Sequence, residues 1–213
     1  MLGDYLKIRR HFLMNQKKVK ISILLSIIIY FVIYFIIILL VSHFFWKFFV
    51  VGDENGDVVK FFGIDITYPF AVMAEHIAVL THKILNFFGY ETDLLPNNVI
   101  RHTTGSRGAI WVIWGCSGIK QAYIFFCIIA FYKGPWRHKL WYIPMGLVLV
   151  YLFNNFRIIF ITAIMEKHPQ QFELWHEYIL KYAFYAMIFL LWVVWNEKFA
   201  RKKFEAQSTK NEV

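Results

Sequence analysis

The stretch ISILLSIIIYFVIYFIIILLV, residues 21–41, decides the fold class because it is uncharged and long enough to cross a membrane. At ~1.5 Å per helical residue it spans a hydrocarbon core of ~30 Å. It is too long for the apolar core of a signal peptide and no A-x-A-like site follows it, so we predict a retained anchor. The whole chain of 213 residues, 59% hydrophobic and 20% aromatic, is too apolar for a soluble domain.

Three further apolar segments, residues 117–132, 140–165 and 178–196, predict membrane-spanning helices. The segment 69–88 is also apolar, but a polar stripe recurs along it at helical spacing: Glu75, His76, His82, Lys83 and Asn86. If this segment crossed the membrane, the basic tail would end opposite the basic head. We therefore predict four spans, with residues 69–88 forming an amphipathic or re-entrant helix on the outer side.

The formal charge of +9 is concentrated at the ends of the predicted spans. Residues 1–20, the loop 133–139 and the tail from residue 197 hold 14 of the 23 Lys and Arg and only four acids, whereas the rest of the chain sums to −1. This asymmetry is typical of the cytoplasmic loops of membrane proteins, and it favours a membrane protein over a nucleic-acid-binding one.

The segment NNVIRHTTGSRGAIWVIW, before the second span, predicts two short β-runs around a Gly-Ser-Arg-Gly turn, and hence a small β-hairpin. The predicted fold class is an all-α polytopic membrane protein that carries this hairpin. Its predicted parts are a cytoplasmic basic N-terminus at 1–20, an anchor at 21–41, an outer-side region at 42–116, a transmembrane core at 117–196 and a cytoplasmic basic tail at 197–213.

Cys116 is the first candidate for chemistry, because it lies at the outer mouth of the second span, beyond the interface-seeking Trp111 and Trp114. Ser117 is a candidate helix cap, which would place the sulfur at a helix N-terminus. Free N–H groups there lower the pKa of a thiol and donate to an oxyanion. The alternative is a small apolar filler, which is our interpretation of Cys127.

Arg157 stands inside the third span, where a guanidinium costs roughly 2.5–3.5 kcal/mol at mid-membrane and therefore needs a reason. On a helix running outward it lies eight residues before Met165, about 12 Å below the outer end, within reach of a snorkelling side chain. Asn154, three residues earlier, shares its face and is expected to orient it. The alternative is a structural contact that fixes helix packing.

His176 opens the last span beside Trp175, on the same predicted side as Cys116 and Arg157. Three separate segments thus place a nucleophile, a cation and a group that titrates near neutrality in one leaflet. His102, in the hairpin, is a rival base that the sequence leaves open.

A metal or cofactor site has little support in the sequence. His76 and His82 are six residues apart and point to different sides of one helix, so with Glu75 they form a poor ligand set. Two cysteines supply neither a disulfide framework nor a Cys-rich metal site. Walker, GxSxG and dinucleotide-binding motifs are absent, and we expect no metal and no cofactor.

The pieces CSGIKQ at 116–121 and NNFR at 154–157, with a histidine opening the final span, resemble the exosortase/archaeosortase family of microbial membrane cysteine enzymes. The likeness is to a short member and covers about residues 111–198. His176 fits the bacterial pattern, since archaeal relatives carry arginine at that place. The resemblance implies a cysteine transpeptidase or protease whose membrane-anchored substrates end in a sorting signal: a short motif, a hydrophobic helix and a basic cluster.

The same resemblance implies roles for individual residues. Cys116 would attack the peptide carbonyl, His176 would move the proton, and Arg157 would stabilise the oxyanion, supported by Asn154 and by the backbone amides of Ser117 and Gly118. The expected location is the plasma (inner) membrane of a bacterium, with the active site facing outward. The lipid bilayer and the substrate proteins are the expected partners, without nucleic acid.

Two other functions remain open at the level of sequence. The first is a non-catalytic membrane subunit for assembly or export, in which Arg157 is a structural contact and the hairpin a docking edge. The second is a small transporter with Arg157 lining an anion path, although four spans without paired broken helices suit alternating access poorly. The subunit requires an unreactive Cys116.

Overall fold

The computed structural model describes residue 26 and residues 28–52 and 58–200. The predicted basic N-terminus at 1–20 and all of the predicted basic tail after residue 200 lie outside the described residues. What is described is mostly helical, with two small antiparallel sheets.

Five α-helices make up most of the part of the chain that the structure describes: α1 (Ile28–Phe49), α2 (Thr67–Phe87), α3 (Ile119–Phe131), α4 (Trp136–Lys167) and α5 (Leu180–Trp195). A 3₁₀ turn at Pro169–Gln171 and a π-helical segment at Leu174–Ile179 lead into α5, and a second π segment, Asn196–Ala200, follows it. The chain from Pro169 to Ala200 therefore forms one long apolar rod.

Three helical segments among the described residues are long and apolar enough to cross a membrane: Ile28–Phe49, Trp136–Lys167 and Pro169–Ala200. The protein is thus a multi-pass membrane protein. The predicted count of four spans is not confirmed, because α3, which corresponds to the predicted second span, has 13 residues. At ~1.5 Å per residue it is about 20 Å long, shorter than a hydrocarbon core.

Each sheet has three short strands. The first contains β1 (Val50–Gly52), β2 (Val59–Phe61) and β3 (Ile64–Asp65), in that order. The second contains β4 (Thr92–Leu95), β5 (Val99–His102) and β6 (Ala109–Trp111). Strands β5 and β6 are the predicted hairpin, with Ile100 opposite Ile110. The sequence missed the other four strands, because two to four residues are too few to establish an alternating pattern.

The segment 69–88 is confirmed as a helix with one apolar face. That face packs against the second sheet and α4 through a buried cluster: Ala74, Ile77, Ala78, Ile100, Ile110, Ile158 and Ile161. Its polar stripe meets polar partners, since His76 Nε2 lies 2.7 Å from the Tyr151 hydroxyl and His82 Nδ1 lies 3.0 Å from Thr92 Oγ1.

The hairpin turn fixes the C-terminal end of α4. The Ser106 backbone N–H donates to the Glu166 carbonyl at 2.8 Å, and the Ser106 hydroxyl donates to the Met165 carbonyl at 2.5 Å. These bonds satisfy carbonyl groups that a helix end leaves without an intrahelical partner. The second sheet and the end of α4 therefore form one support for the residues that follow β6.

The helices pack closely at the end of the bundle that holds Lys133 and Trp195. There α1, α3, α4 and α5 share one aromatic and aliphatic cluster, which includes Phe35, Phe125 and Trp192. Gly146 admits the Phe125 ring against the backbone of α4, since a Cβ at this position would overlap it. We call the other end of the bundle, where α3 begins and α4 finishes, the cavity end.

Candidate active site

A cavity of about 560 Å³ opens at the cavity end of the bundle. Its walls come from α1, from the segment before α3, from α3 and α4, and from the π segment with α5. They include Lys47, Cys116, Gln121, Arg157, His176 and Lys181. The structure therefore brings together in one cavity the thiol, the guanidinium and the imidazole that the sequence singled out.

Cys116 is held by its backbone. It ends a 3₁₀ turn, Trp114–Cys116, in which its N–H donates to the Ile113 carbonyl at 2.9 Å. Its own carbonyl accepts a hydrogen bond from Asn154 Nδ2 at 2.8 Å. Gly118 permits this contact, because its φ is +75° and a Cβ there would lie 2.9 Å from Asn154 Cγ. The turn carrying the thiol is thus tied directly to α4.

Three expectations about this turn need correction. Asn154 orients Cys116 through that carbonyl, and its side chain makes no described hydrogen bond to Arg157. The Ser117 N–H donates to the Trp114 carbonyl at 3.1 Å, so it is not free to bind an oxyanion. The thiol precedes the N-cap, Gly118, by two residues and gains little from the helix end. The role of the Gly118 amide stays a prediction.

The expected lowering of the Cys116 pKa is also wrong. Burial raises the pKa of this thiol above its usual value, because an apolar environment disfavours the thiolate. The positive charge of Arg157 and a hydrogen bond between the sulfur and the backbone of Ile113 lower the pKa of the thiol but do not overcome burial. Cys116 is therefore a thiol at neutral pH and needs a base to become a nucleophile.

Arg157 lies on α4 with 8% of its surface exposed. Its Nε atom is buried without a hydrogen-bond partner among the described residues, and so is Gln121 Oε1 on the neighbouring wall. A buried unsatisfied polar atom costs about 1–3 kcal/mol, so these two atoms destabilise the resting fold. Neither atom can contact a molecule in the cavity unless its side chain moves.

His176 lies in the π segment and is oriented from two sides. Its Nδ1 is 2.8 Å from Glu177 Oε1, and its ring stacks on Phe172 with centroids 5.0 Å apart. A carboxylate only accepts hydrogen bonds, so Nδ1 carries the proton and Nε2 is left to act as a base. Lys181 Nζ holds the other carboxylate oxygen at 3.0 Å. π-Helical segments are frequent at functional sites.

Sequence analysis missed Glu177 and Gln121. The available signals were the adjacent His-Glu pair, with lysine four residues after the glutamate, and the glutamine in the first turn after Cys116. A carboxylate that orients a histidine is a recurrent arrangement in nucleophilic catalysis. The sequence alone could therefore have suggested Glu177 as the partner of His176.

The other candidates lie elsewhere. His102 is buried outside the cavity and its Nε2 donates to the Thr162 carbonyl at 2.7 Å, so the rival base does not face Cys116. Within the described ranges, no group of three or more His, Cys, Asp or Glu is placed to hold a metal ion. Cys127 is buried in the bundle core, as a filler would be.

The raised pKa of Cys116 makes its labelling strongly pH-dependent. In a Cys127→Ala background we expect the rate of alkylation by an impermeant maleimide to rise about tenfold per pH unit and to level off only above pH ~8.5. Arg157→Gln removes a charge that favours the thiolate, so the plateau should move to still higher pH. A plateau below pH 8, or a profile unchanged by Arg157→Gln, would contradict this electrostatic description.

Comparison with known proteins gives one match. A family model described as transmembrane exosortase matches residues 58–206, about seven-tenths of the chain. The match contains Cys116, Arg157 and His176 and begins after α1 and β1. No curated protein and no solved structure matches the chain.

Proposed function

The chain belongs to the transmembrane exosortase family, and we propose that it is a cysteine transpeptidase or protease that cleaves C-terminal sorting signals of exported proteins. The observation that carries this proposal is the single cavity into which three different helical segments bring Cys116, Arg157 and His176.

In this mechanism His176 Nε2 takes the proton of the Cys116 thiol, and the sulfur forms a bond to the carbonyl carbon of the substrate. The carbonyl oxygen becomes an oxyanion, which Arg157 stabilises. The C–N bond then breaks, and the imidazolium returns its proton to the leaving amine. The product is a thioester on Cys116. An acceptor amine, or water, attacks the thioester with His176 again as base and restores the thiol.

The raised pKa of Cys116 fits this division of labour. A buried thiol is protected from reaction in the resting state, and the base acts on it when substrate fills the cavity. Glu177 is a positioning residue here, because it fixes the tautomer of His176 and stabilises the imidazolium that forms.

For topology we propose four crossings in the plasma membrane of a bacterium, with α3 as a short crossing and the cavity facing outward. Consecutive helices α3, α4 and α5 run in alternating directions, and the basic loop at Lys133–Lys139 lies at the end opposite the cavity. Basic loops stay on the cytoplasmic side, so this arrangement turns Cys116 away from the cytoplasm. The amphipathic α2 and both sheets then belong to the outer side.

The test is capture of the thioester. We expect tagged chain, isolated from its host at acidic pH and digested, to yield a Cys116 peptide carrying an acyl group that hydroxylamine removes. The Cys127 peptide from the same digest is the internal control and should be unmodified. The sequence of the acyl group would identify the substrate. Processing of a substrate without any Cys116 adduct, also after deacylation is slowed at low pH, would refute covalent catalysis.

A further inference from the structure

The wall of the cavity carries more positive than negative charge. Its cations come from four helices: Lys47 from α1, Lys120 from α3, Arg157 from α4 and Lys181 from α5. Among the described residues that line the cavity, Glu177 is the only acid, which leaves an excess of three positive charges. Both oxygens of Glu177 are already engaged, by His176 Nδ1 at 2.8 Å and by Lys181 Nζ at 3.0 Å. The described wall therefore offers no free carboxylate to the remaining cations.

The three lysines of the wall, Lys47, Lys120 and Lys181, are close enough to act on one another, and we call them the lysine cluster. Lys120 experiences the positive charges of both other members. Lys47 and Lys120 also act together on His43, which precedes Lys47 by four residues and so lies on the same face of α1. Lys120 is half-buried, and repulsion between like charges is screened less there than in bulk water. A cavity lined in this way attracts an anion.

The position of the lysine cluster along the helices supports the same conclusion. Lys47 lies two residues before the end of α1, and Lys120 and Lys181 are the second residues of α3 and α5. All three lie at the cavity end, which the proposed topology turns outward. Lysine and arginine usually concentrate on the cytoplasmic side, so a cluster on the outer side indicates a function there. Basic pockets between transmembrane helices bind the head groups of anionic phospholipids.

The lysine cluster suits a phosphate group better than a carboxylate. A carboxylate has two oxygens in one plane, and the planar fork of arginine matches that geometry. The ammonium group of lysine is a compact charge with three donors and no preferred plane. A phosphate monoester presents three acceptor oxygens in different directions and carries up to two negative charges. Lysines that approach from three helices can therefore bind one phosphate together and neutralise most of the excess charge.

We propose that Lys47, Lys120 and Lys181 form a subsite of the cavity that binds a phosphate group, carried either by a lipid head group or by a soluble phosphate ester. The binding goes beyond the proposed function, because it does not depend on the reaction at Cys116. A ligand held by the lysine cluster shares the cavity with Cys116, so it is placed to serve as the acceptor of the acyl group. Only this acceptor role rests on the proposed function.

Binding to the Cys116→Ala chain tests the subsite independently of thioester capture, because this variant performs no chemistry. The full chain is purified free of lipid in a maltoside detergent, which contains no phosphate. The probes are glycerol phosphate and phosphatidic acid, which present one phosphate group in soluble and in lipid form, and a diglutamate peptide as the carboxylate competitor. Dissociation constants follow from the rise of the thermal unfolding temperature with probe concentration.

Lys47→Gln and Lys120→Gln remove members of the cluster, and Lys60→Gln, at an exposed lysine on β2 outside the cavity, is the matched control. We expect a phosphate probe to bind more tightly than the peptide, and each cluster variant to weaken its binding about tenfold, as for one lost charge-assisted contact. Lys60→Gln should change binding by less than about twofold. Lys47 is exposed, so its variant tests the subsite even if Lys120→Gln does not fold.

The two phosphate probes distinguish the sources of the ligand. Binding of glycerol phosphate would show that a soluble ester is sufficient, whereas binding of phosphatidic acid alone would assign the subsite to a lipid head group. Three results would overturn the proposal: no saturable binding of either phosphate probe, equal effects of the three lysine substitutions, or tighter binding of the diglutamate peptide. The last result would assign the lysine cluster to acidic side chains of a protein substrate.

Discussion

Replacing Cys116 by alanine should abolish processing of a tagged substrate, with a loss in rate on the order of 10⁴–10⁶-fold. Losses of this size follow removal of the nucleophile in enzymes that act through a covalent intermediate. The hydrogen bonds that hold the turn, to Ile113 and from Asn154, use backbone atoms of Cys116, so alanine should leave the turn in place. The measurement is the time course of conversion of full-length substrate in a strain that lacks the native gene.

Cys127→Ala is the matched control for this experiment. Cys127 is buried on α3 and does not line the cavity, so truncating it is expected to change the processing rate by no more than about twofold. Equal amounts of inserted protein must be shown for both variants. Residual processing above 1% by well-inserted Cys116→Ala protein would favour the non-catalytic subunit and refute the covalent mechanism.

The long elements of this fold could be predicted because apolar length and charge asymmetry are properties of the chain alone. Alternation of the predicted spans led us to expect Cys116, Arg157 and His176 at one end of the bundle, and in the structure they line one cavity. Because a helix keeps its direction over many residues, the number of reversals determines which ends meet. The predicted second span was nevertheless too long, because it included residues 117, 118 and 132, which lie outside α3.

What the sequence could not predict depends on contacts between distant segments. The sign of the Cys116 pKa shift depends on how deeply the neighbouring elements bury the thiol. The hydrogen bond from Asn154 to the Cys116 carbonyl joins residues that are 38 positions apart in the chain. Lys47 lines the cavity because the end of α1 packs against α2, where Trp46 contacts Phe70. A strand as short as β3 forms because it pairs with β2, and its own sequence pattern does not predict that pairing.

The family match begins at residue 58, after α1. It therefore includes Cys116, Arg157 and His176 but not the part of the cavity wall that α1 supplies.

Replacing Arg157 can distinguish a catalytic role from a structural one, because the two roles predict opposite changes in the stability of the fold. Its buried Nε has no hydrogen-bond partner among the described residues. If Arg157 were a packing contact, removing it should cost about 3–5 kcal/mol, as for a broken buried pair. If Arg157 instead serves as an oxyanion donor, its removal should cost no stability, because the unsatisfied buried group itself destabilises the fold by about 1–3 kcal/mol.

We therefore expect Arg157→Met to lower the processing rate about 10²–10³-fold while the thermal unfolding temperature in detergent stays equal or rises. Arg157→Lys keeps the charge but loses the planar fork, so its rate should lie between those of Met and wild type. Both quantities are measured on one preparation, with Phe156→Met, a change at an exposed neighbouring position, as the control. The opposite result would be an Arg157→Met variant whose unfolding temperature lies well below that of wild type and whose rate falls only in proportion to the folded fraction. That result would show that the guanidinium serves helix packing and is not the donor to the oxyanion.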